Sequence, residues 1–337
     1  MPVHAQPAMN YAAPWWLPGG NLQTIWAALR SRRYLGPQPL FRRERWATPD
    51  EDFVDVDWLI KSDAIGEAST AKKTPLLVVF HGLEGSSASH YAEALADAAR
   101  ERGWACAIPH FRGCSGELNL APRAYHSGDF VEIDWILRRF AEQHNGPVVA
   151  VGISLGGNAL MRWAGEVGAE ARQVVAGIAS VCSPLDLTAS GWAIGRGFNR
   201  QVYTRMFLRT MVPKALQKLE QHPGLFDRER LLAARDLYTF DNVFTAPVHG
   251  FKNADDYWSR ASAKPHLHRV AVPALALNAL NDPFVPAASL PQAADAGSHV
   301  ALWQPAQGGH VGFPSSPFPG HVRAMPDAVT SFLAAHL

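Results

Sequence analysis

Pro147-Val148-Val149-Ala150-Val151-Gly152-Ile153-Ser154-Leu155-Gly156-Gly157-Asn158-Ala159-Leu160 is the stretch that decides the fold. The apolar run 147–151 reads as a short buried strand, and the residues from Gly157 onward read as a helix. Between them lies Gly152-Ile153-Ser154-Leu155-Gly156, a G-x-S-x-G sequence on a sharp strand-to-helix turn. Such a turn lifts a serine hydroxyl clear of the sheet. The flanking glycines leave room where side chains would collide. The new helix aims its positive N-terminus and free backbone N–H groups at the same place. Ser154 is therefore the candidate nucleophile.

Outward from this turn, strands alternate with helices. Leu76 to Phe80 is continuously apolar and reads as a strand covered on both faces. Tyr91 to Arg102 reads as a helix, Ala105 to Ile108 as a strand, 128–144 as an amphipathic helix and Val174 to Val181 as a buried strand. This alternation implies βαβ units and an α/β fold with a mostly parallel central sheet flanked by helices. Phe53 to Ile60 alternates apolar and acidic residues and reads as a half-exposed strand near a sheet edge. Residues 61–74 read as a loop. Over 186–262 the strands stop and the sequence looks helical, which suggests a helical cap inserted into the core. Strands resume at Ala274 to Ala279 and Val300 to Trp303, and a last helix begins near Asp327. The organisation expected is an N-terminal wrapping segment over 1–50, a core of 51–185 and 263–337, and a cap of 186–262. The wrapping segment is irregular apart from a short helix at Asn21 to Leu29, and its tryptophans are expected to pack on the body or line a cleft.

The chain has 337 residues, a hydrophobic content of 47% and a formal net charge of +1. That content supplies a sizeable core, and the near-neutral balance gives no reason to expect a nucleic-acid partner. Three separated cysteines, Cys106, Cys114 and Cys182, form neither a disulfide framework nor a zinc motif. No apolar run reaches the ~18 residues of a membrane span, and no signal peptide is evident, so a cytoplasmic location is expected. His266 and His268 have metal-like spacing without an accompanying acidic or cysteine cluster. No metal and no cofactor is expected.

In a parallel sheet, chemistry gathers at the carboxyl ends of strands. Ser154 follows one such end, Asn281-Asp282-Pro283 another and Gly308-Gly309-His310 a third. The chain order Ser, Asp, His suits a catalytic triad. His310 would take the serine proton, and Asp282 would orient the imidazole and stabilise its cation. Asp186, after the 174–181 strand, is the alternative acid; Asp282 is preferred because it stands at a strand end with a turn-forming proline behind it. The backbone N–H groups of Leu83 and Leu155 would form the oxyanion hole. His81 reads as a shaping residue under that loop, and Arg112, Cys114 and Glu117 as loop scaffolding. Tyr125, His126 and Asp129 are candidates for touching substrate. Trp192, Phe198, Tyr203, Met206, Phe207 and Leu208 are candidates for an apolar wall; His126, Phe207 and Met206 are carried forward as substrate-binding residues.

These motifs together resemble the YheT-like branch of the α/β-hydrolases. The resemblance is carried by His81-Gly82-Leu83-Glu84-Gly85-Ser86, His110-Phe111-Arg112-Gly113-Cys114-Ser115-Gly116-Glu117, Tyr125-His126-Ser127-Gly128, the serine turn, Asn281-Asp282-Pro283-Phe284 and Gly309-His310-Val311-Gly312-Phe313. Asn21-Leu22-Gln23-Thr24-Ile25, Phe240-Asp241, His249-Gly250-Phe251 and Asp256-Tyr257 fit as well. It implies an α/β-hydrolase fold, carboxylic-ester hydrolysis of small or lipid-like esters, and Ser154, Asp282 and His310 as the triad. A thioesterase or amidase using the same triad, or a binding protein that keeps only the fold, are the alternatives.

Overall fold

The computed structural model describes residues 10–60 and 73–337, so most of the expected 61–74 loop lies outside the described residues. One eight-stranded sheet runs through the molecule in the order β1-β2-β4-β3-β5-β6-β7-β8. Its strands are β1 (Phe41–Ala47), β2 (Phe53–Leu59), β3 (Leu76–Phe80), β4 (Ala105–Pro109), β5 (Val148–Ile153), β6 (Gly177–Val181), β7 (Ala274–Leu277) and β8 (Val300–Trp303). From β4 to β8 all neighbours are parallel; β2 is antiparallel to β4 and β1 antiparallel to β2.

The central strands are apolar on both faces because both faces are covered. Val78 and Phe80 of β3 point into a core closed by α3 (Phe130–Gln143) and α4 (Leu155–Val167). Leu77 and Val79 point the other way, toward α2 (His90–Glu101) and α12 (Ala324–Ala334). α1 (Gly20–Leu29) lies in the N-terminal segment. Between β6 and β7 the chain forms α5 (Leu187–Ile194), α6 (Gly197–Asn199), a π-helical turn (Arg200–Thr204), α7 (Arg205–Gln221), α8 (Arg228–Leu232), α9 (Leu237–Val243), α10 (Thr245–Val248) and α11 (Ala254–Ala261). No helix among the described residues is long and apolar enough to cross a membrane.

Two expectations about the sheet edge need correction. Residues 41–47 are not irregular but form the edge strand β1, and β2 is buried rather than half-exposed. One physical cause accounts for both. In register, Arg43 stands opposite Asp57 and Arg45 opposite Asp55. Each guanidinium grips its carboxylate through two nitrogens, at 2.8 and 2.9 Å for Arg43 and 2.7 and 2.8 Å for Arg45. The alternating aspartates thus face arginines instead of water. Burial works to raise the Asp57 carboxyl, but Arg43, His110 and Ser87 outweigh it and hold the group below the usual range.

A second buried network ties the loop after β4 to the sheet edge. Arg112 reaches Asp50, Asp52 and Glu132, with its own side chain only 4% exposed. Removing the cation would leave Asp52 and Glu132 buried without their shared positive partner, although Asp52 keeps its bonds from Asn119 and the Leu120 and Ala121 N–H groups. Arg112→Leu is expected to cost about 3–5 kcal/mol of stability, read by urea unfolding. A loss below about 1 kcal/mol would show that the carboxylates find other partners.

Candidate active site

Ser154 ends β5 and begins α4 in a left-handed backbone conformation, φ 52° and ψ −117°. A non-glycine residue rarely adopts such angles; they persist only where the surroundings hold them. Here the Ser154 N–H donates to the Val181 carbonyl at 2.8 Å, and the Ser154 carbonyl accepts from Gly157 and Asn158. Close packing does the rest. A methyl group on Gly156 would lie 2.5 Å from the His81 carbonyl oxygen and 2.6 Å from that of Phe80. The helix start can therefore press against the end of β3 only with glycine there.

The His310 imidazole spans the two groups it was expected to join. Its Nε2 lies 2.9 Å from Ser154 Oγ and its Nδ1 lies 2.8 Å from Asp282 Oδ2. The other Asp282 oxygen accepts from the backbone N–H groups of Phe284 and Val285 at 2.8 and 3.3 Å. With its carboxylate fully buried, Asp282 has one orientation open to it. The Phe284 ring covers the imidazole at 4.2 Å between centroids. Asp186 is elsewhere engaged: it caps the N-terminus of α5 by accepting from the Ala189 N–H at 3.0 Å. Of the two aspartates, only Asp282 meets His310.

Leu83 and Leu155 both line the cavity in front of Ser154. In the loop after β3, the N–H groups of Gly82, Glu84 and Gly85 are taken by Tyr91, Tyr125 and the Gly82 carbonyl. His81 is fully buried beneath them; its Nδ1 donates to the Gly82 carbonyl and its Nε2 accepts from the Phe111 N–H. Burial, and then the neighbouring His110, push this imidazole down to about 3, so it stays neutral at physiological pH.

The cavity measures about 160 Å³. Ile194, Phe207, Met211, Phe240 and Phe244 supply an apolar wall, and His126 and Tyr125 also line the cavity. His126 is pushed down to about 3 by burial, against the pull of Asp129. Met206 does not line this cavity. It is 52% exposed on the outer face of α7, one residue from Phe207, which does line it. Trp192, Phe198 and Leu208 also lie outside the lining, and Tyr203 is buried behind Phe284. One step along a helix turns a side chain by ~100°, so neighbouring residues face different surroundings.

Several residues around the site carried no role in the sequence reading. Gln23 Oε1 accepts from the Gly308 N–H and the Asn281 amide, both at 2.9 Å, and Thr24 Oγ1 accepts from the His310 N–H at 2.8 Å. Helix α1 thereby braces the His310 loop against the Asp282 loop. Glu84, at φ 56°, is held at 2.9 Å by both Tyr125 and Lys214 of α7. Asp241 lies on the cavity wall and is pushed up to about 6 by burial, against its hydrogen bonds from Thr245 and Trp258. The motifs Asn21 to Ile25 and Phe240-Asp241 were the available signals for Gln23, Thr24 and Asp241. Among the described residues, one group has metal-ligand proximity: Cys182, Asp282 and His310, within 4.8 Å. Asp282 and His310 are already engaged with each other, and Cys182 Sγ accepts from the Val311 N–H.

A family model for the alpha/beta hydrolase fold matches residues 75–317. The chain belongs to the α/β-hydrolase fold family. Within it, the chain falls on the branch of the Escherichia coli K12 YheT protein, to which it is 39% identical over 285 residues, 81% of each chain. It is 27% identical over 308 residues to the mouse phospholipase ABHD3, covering 89% of this chain and 72% of that one. To a Saccharomyces cerevisiae monoacylglycerol lipase it is 28% identical over 291 residues, 82% of this chain and 61% of that one. A Pyrococcus furiosus esterase shares the fold at a TM-score of 0.53 and 13% identity, covering 88% of this chain and 93% of that one.

The packing of Gly156 against β3 gives a direct test of how the serine turn is held. Gly156→Ala is expected to lower stability by about 1–3 kcal/mol, measured by denaturant unfolding, since both clashing atoms are backbone and cannot swing away. An unchanged midpoint would mean that the turn has slack.

Proposed function

We propose that this protein hydrolyses carboxylic esters through an acyl-enzyme on Ser154, with His310 as general base and acid and Asp282 as the orienting carboxylate. The observation that carries this reading is the single imidazole held 2.9 Å from the serine hydroxyl and 2.8 Å from the carboxylate. With Nδ1–H donating to Asp282, the Nε2 lone pair faces the hydroxyl proton. Ser154 Oγ attacks the ester carbonyl carbon as that proton passes to Nε2. The Asp282 charge stabilises the imidazolium. The carbonyl oxygen becomes an oxyanion against the N–H groups of Leu83 and Leu155. Collapse breaks the ester C–O bond, and Nε2–H protonates the departing alcohol. Water then repeats the sequence on the acyl-enzyme and releases the acid.

The apolar cavity supports short or medium acyl chains. Its volume of about 160 Å³ is close to that of the ~150 Å³ engineered cavity that takes up benzene, so a chain of about six carbons fits. We read 186–262 as a cap that supplies one wall of this chamber, and the lipase and phospholipase names among the relatives favour acylglycerol-like alcohol parts. Phe207 and His126 are the wall residues proposed to meet substrate.

A fluorophosphonate probe is expected to label the wild type and leave Ser154→Ala unlabelled; equal labelling of both would end the nucleophile assignment. A panel of p-nitrophenyl esters, thioesters and glycerol esters then defines the acyl and alcohol parts.

The two aspartates provide a paired test. Asp282→Asn keeps the shape but favours the wrong imidazole tautomer, and a loss of ~10⁴ in kcat is expected, about 5 kcal/mol of transition-state stabilisation. Asp186→Asn retains an N-capping side chain, so its kcat should change by less than about tenfold. A crippled Asp186→Asn beside a normal Asp282→Asn would reverse the assignment.

A further inference from the structure

The outer face of the α6–α7 helical run has an unusual charge distribution. Positions 187–219 contain no aspartate or glutamate, yet they hold Arg196, Arg200, Arg205, Arg209, Lys214 and Lys218. The two lysines are turned inward, Lys214 to Glu84 and Lys218 to the carbonyls of Asn119 and Ala121. The four arginines are exposed, and among the described residues none has an ion pair or a side-chain hydrogen bond. Arg200, Arg205 and Arg209 line a shallow groove with Arg235. The next acids along the chain are Glu220 in the last turn of α7 and Glu229 in α8, while Asp227 and Asp236 are occupied as N-caps of α8 and α9.

Apolar side chains are interleaved with these cations. Phe198, Val202 and Met206, four residues apart, are 53%, 36% and 52% exposed. That spacing puts them in one row on the helix surface. The inner face of the same run carries Phe207 and Met211, which line the candidate active-site cavity. An aromatic series links the two: Phe198 to Tyr203 at 6.1 Å, Tyr203 to Phe284 at 4.5 Å and Phe284 to His310 at 4.2 Å. The strip therefore sits close over the site.

A helix surface that is basic, without an acid until Glu220 in the last turn, and studded with exposed apolar groups has the composition of a segment lying in a lipid interface. We propose that this face docks on an anionic lipid surface, with Phe198, Val202 and Met206 entering the headgroup–acyl boundary and Arg200, Arg205 and Arg209 pairing with lipid phosphates. Charge alone would suit any polyanion; the apolar row sets an anionic bilayer apart from a nucleic acid or a free polyanion, because its acyl region takes those side chains out of water. Docking in this pose brings the cavity to the membrane surface, where lipid-like esters are concentrated.

The test is co-sedimentation of the full chain with vesicles, alongside Ser154→Ala so that binding is read without turnover. Wild type and Ser154→Ala are both expected to bind phosphatidylglycerol-containing vesicles at low salt, to release at high salt and to ignore pure phosphatidylcholine vesicles. Arg200→Gln/Arg205→Gln/Arg209→Gln should lose ~100-fold in partitioning, from the attraction of three cations to an anionic leaflet. Val202→Ser/Met206→Ser should lose ~10-fold while keeping the charge. Both variants should hydrolyse a water-soluble ester at the wild-type rate, which also reports that they are folded. The proposal is overturned if the wild type fails to bind phosphatidylglycerol vesicles, if it binds phosphatidylcholine equally, if the arginine variant binds unchanged, or if the apolar row instead holds two copies of the chain together in solution.

Discussion

One imidazole has to meet two partners that lie far apart in the chain. His310 accepts from Ser154 across 156 positions and donates to Asp282 across 28. Hydrogen bonds fall off steeply outside a few tenths of an ångström and some tens of degrees, so three separate loops must be fixed together. The parallel sheet does most of this. Because β5, β6, β7 and β8 are paired in register and run the same way, the loops that follow them emerge at one edge. The geometry at His310 is a consequence of strand pairing several residues below it.

Strand pairing alone leaves loops too loose for that tolerance. Val311 and Phe313 near the histidine have φ of 57° and 42°, conformations that need external support. Helix α1 gives it by satisfying backbone N–H groups that would otherwise be buried without acceptors. Gln23 and Thr24 take the N–H groups of Gly308 and His310, and Asn281 takes that of Gly309. Each such bond contributes only ~0.5–1.5 kcal/mol net, but leaving a buried donor unpaired costs ~1–3 kcal/mol. The brace thus works mainly by making displaced loop positions expensive.

The loop after β3 is restrained from the opposite side. Tyr125 both accepts from the Glu84 N–H and donates to the Glu84 carboxylate, while Lys214 reaches the other carboxylate oxygen from α7. The helical segment between β6 and β7 is therefore joined to the loop that carries Leu83. A displacement of α7 changes a charge pair one residue away from that backbone N–H. The apolar wall and the polar machinery are mechanically connected rather than independent parts.

The sequence alone carried the Ser154 turn, because a strand, a glycine-flanked serine and a helix start are contiguous and the close approach of Gly156 to β3 is written into three neighbouring residues. It carried the parallel core, because strands covered on both faces must be continuously apolar. Asp282 and His310 were legible as residues following strands, with Asp186 left as a rival. Both aspartates follow strands, and only the spatial position of His310, which tertiary structure sets, separates a triad-like geometry from an N-cap. Tertiary structure also decided β1, whose arginines look like a solvated segment until Asp55 and Asp57 stand opposite them. It turned Met206 outward and Phe207 inward, since the rotation of a helix about its axis depends on what it packs against. The roles of Gln23, Thr24 and Lys214 belong to the same class. Their hydrogen-bond partners are distant in the chain, and no local pattern specifies a contact that exists only after the chain has closed on itself.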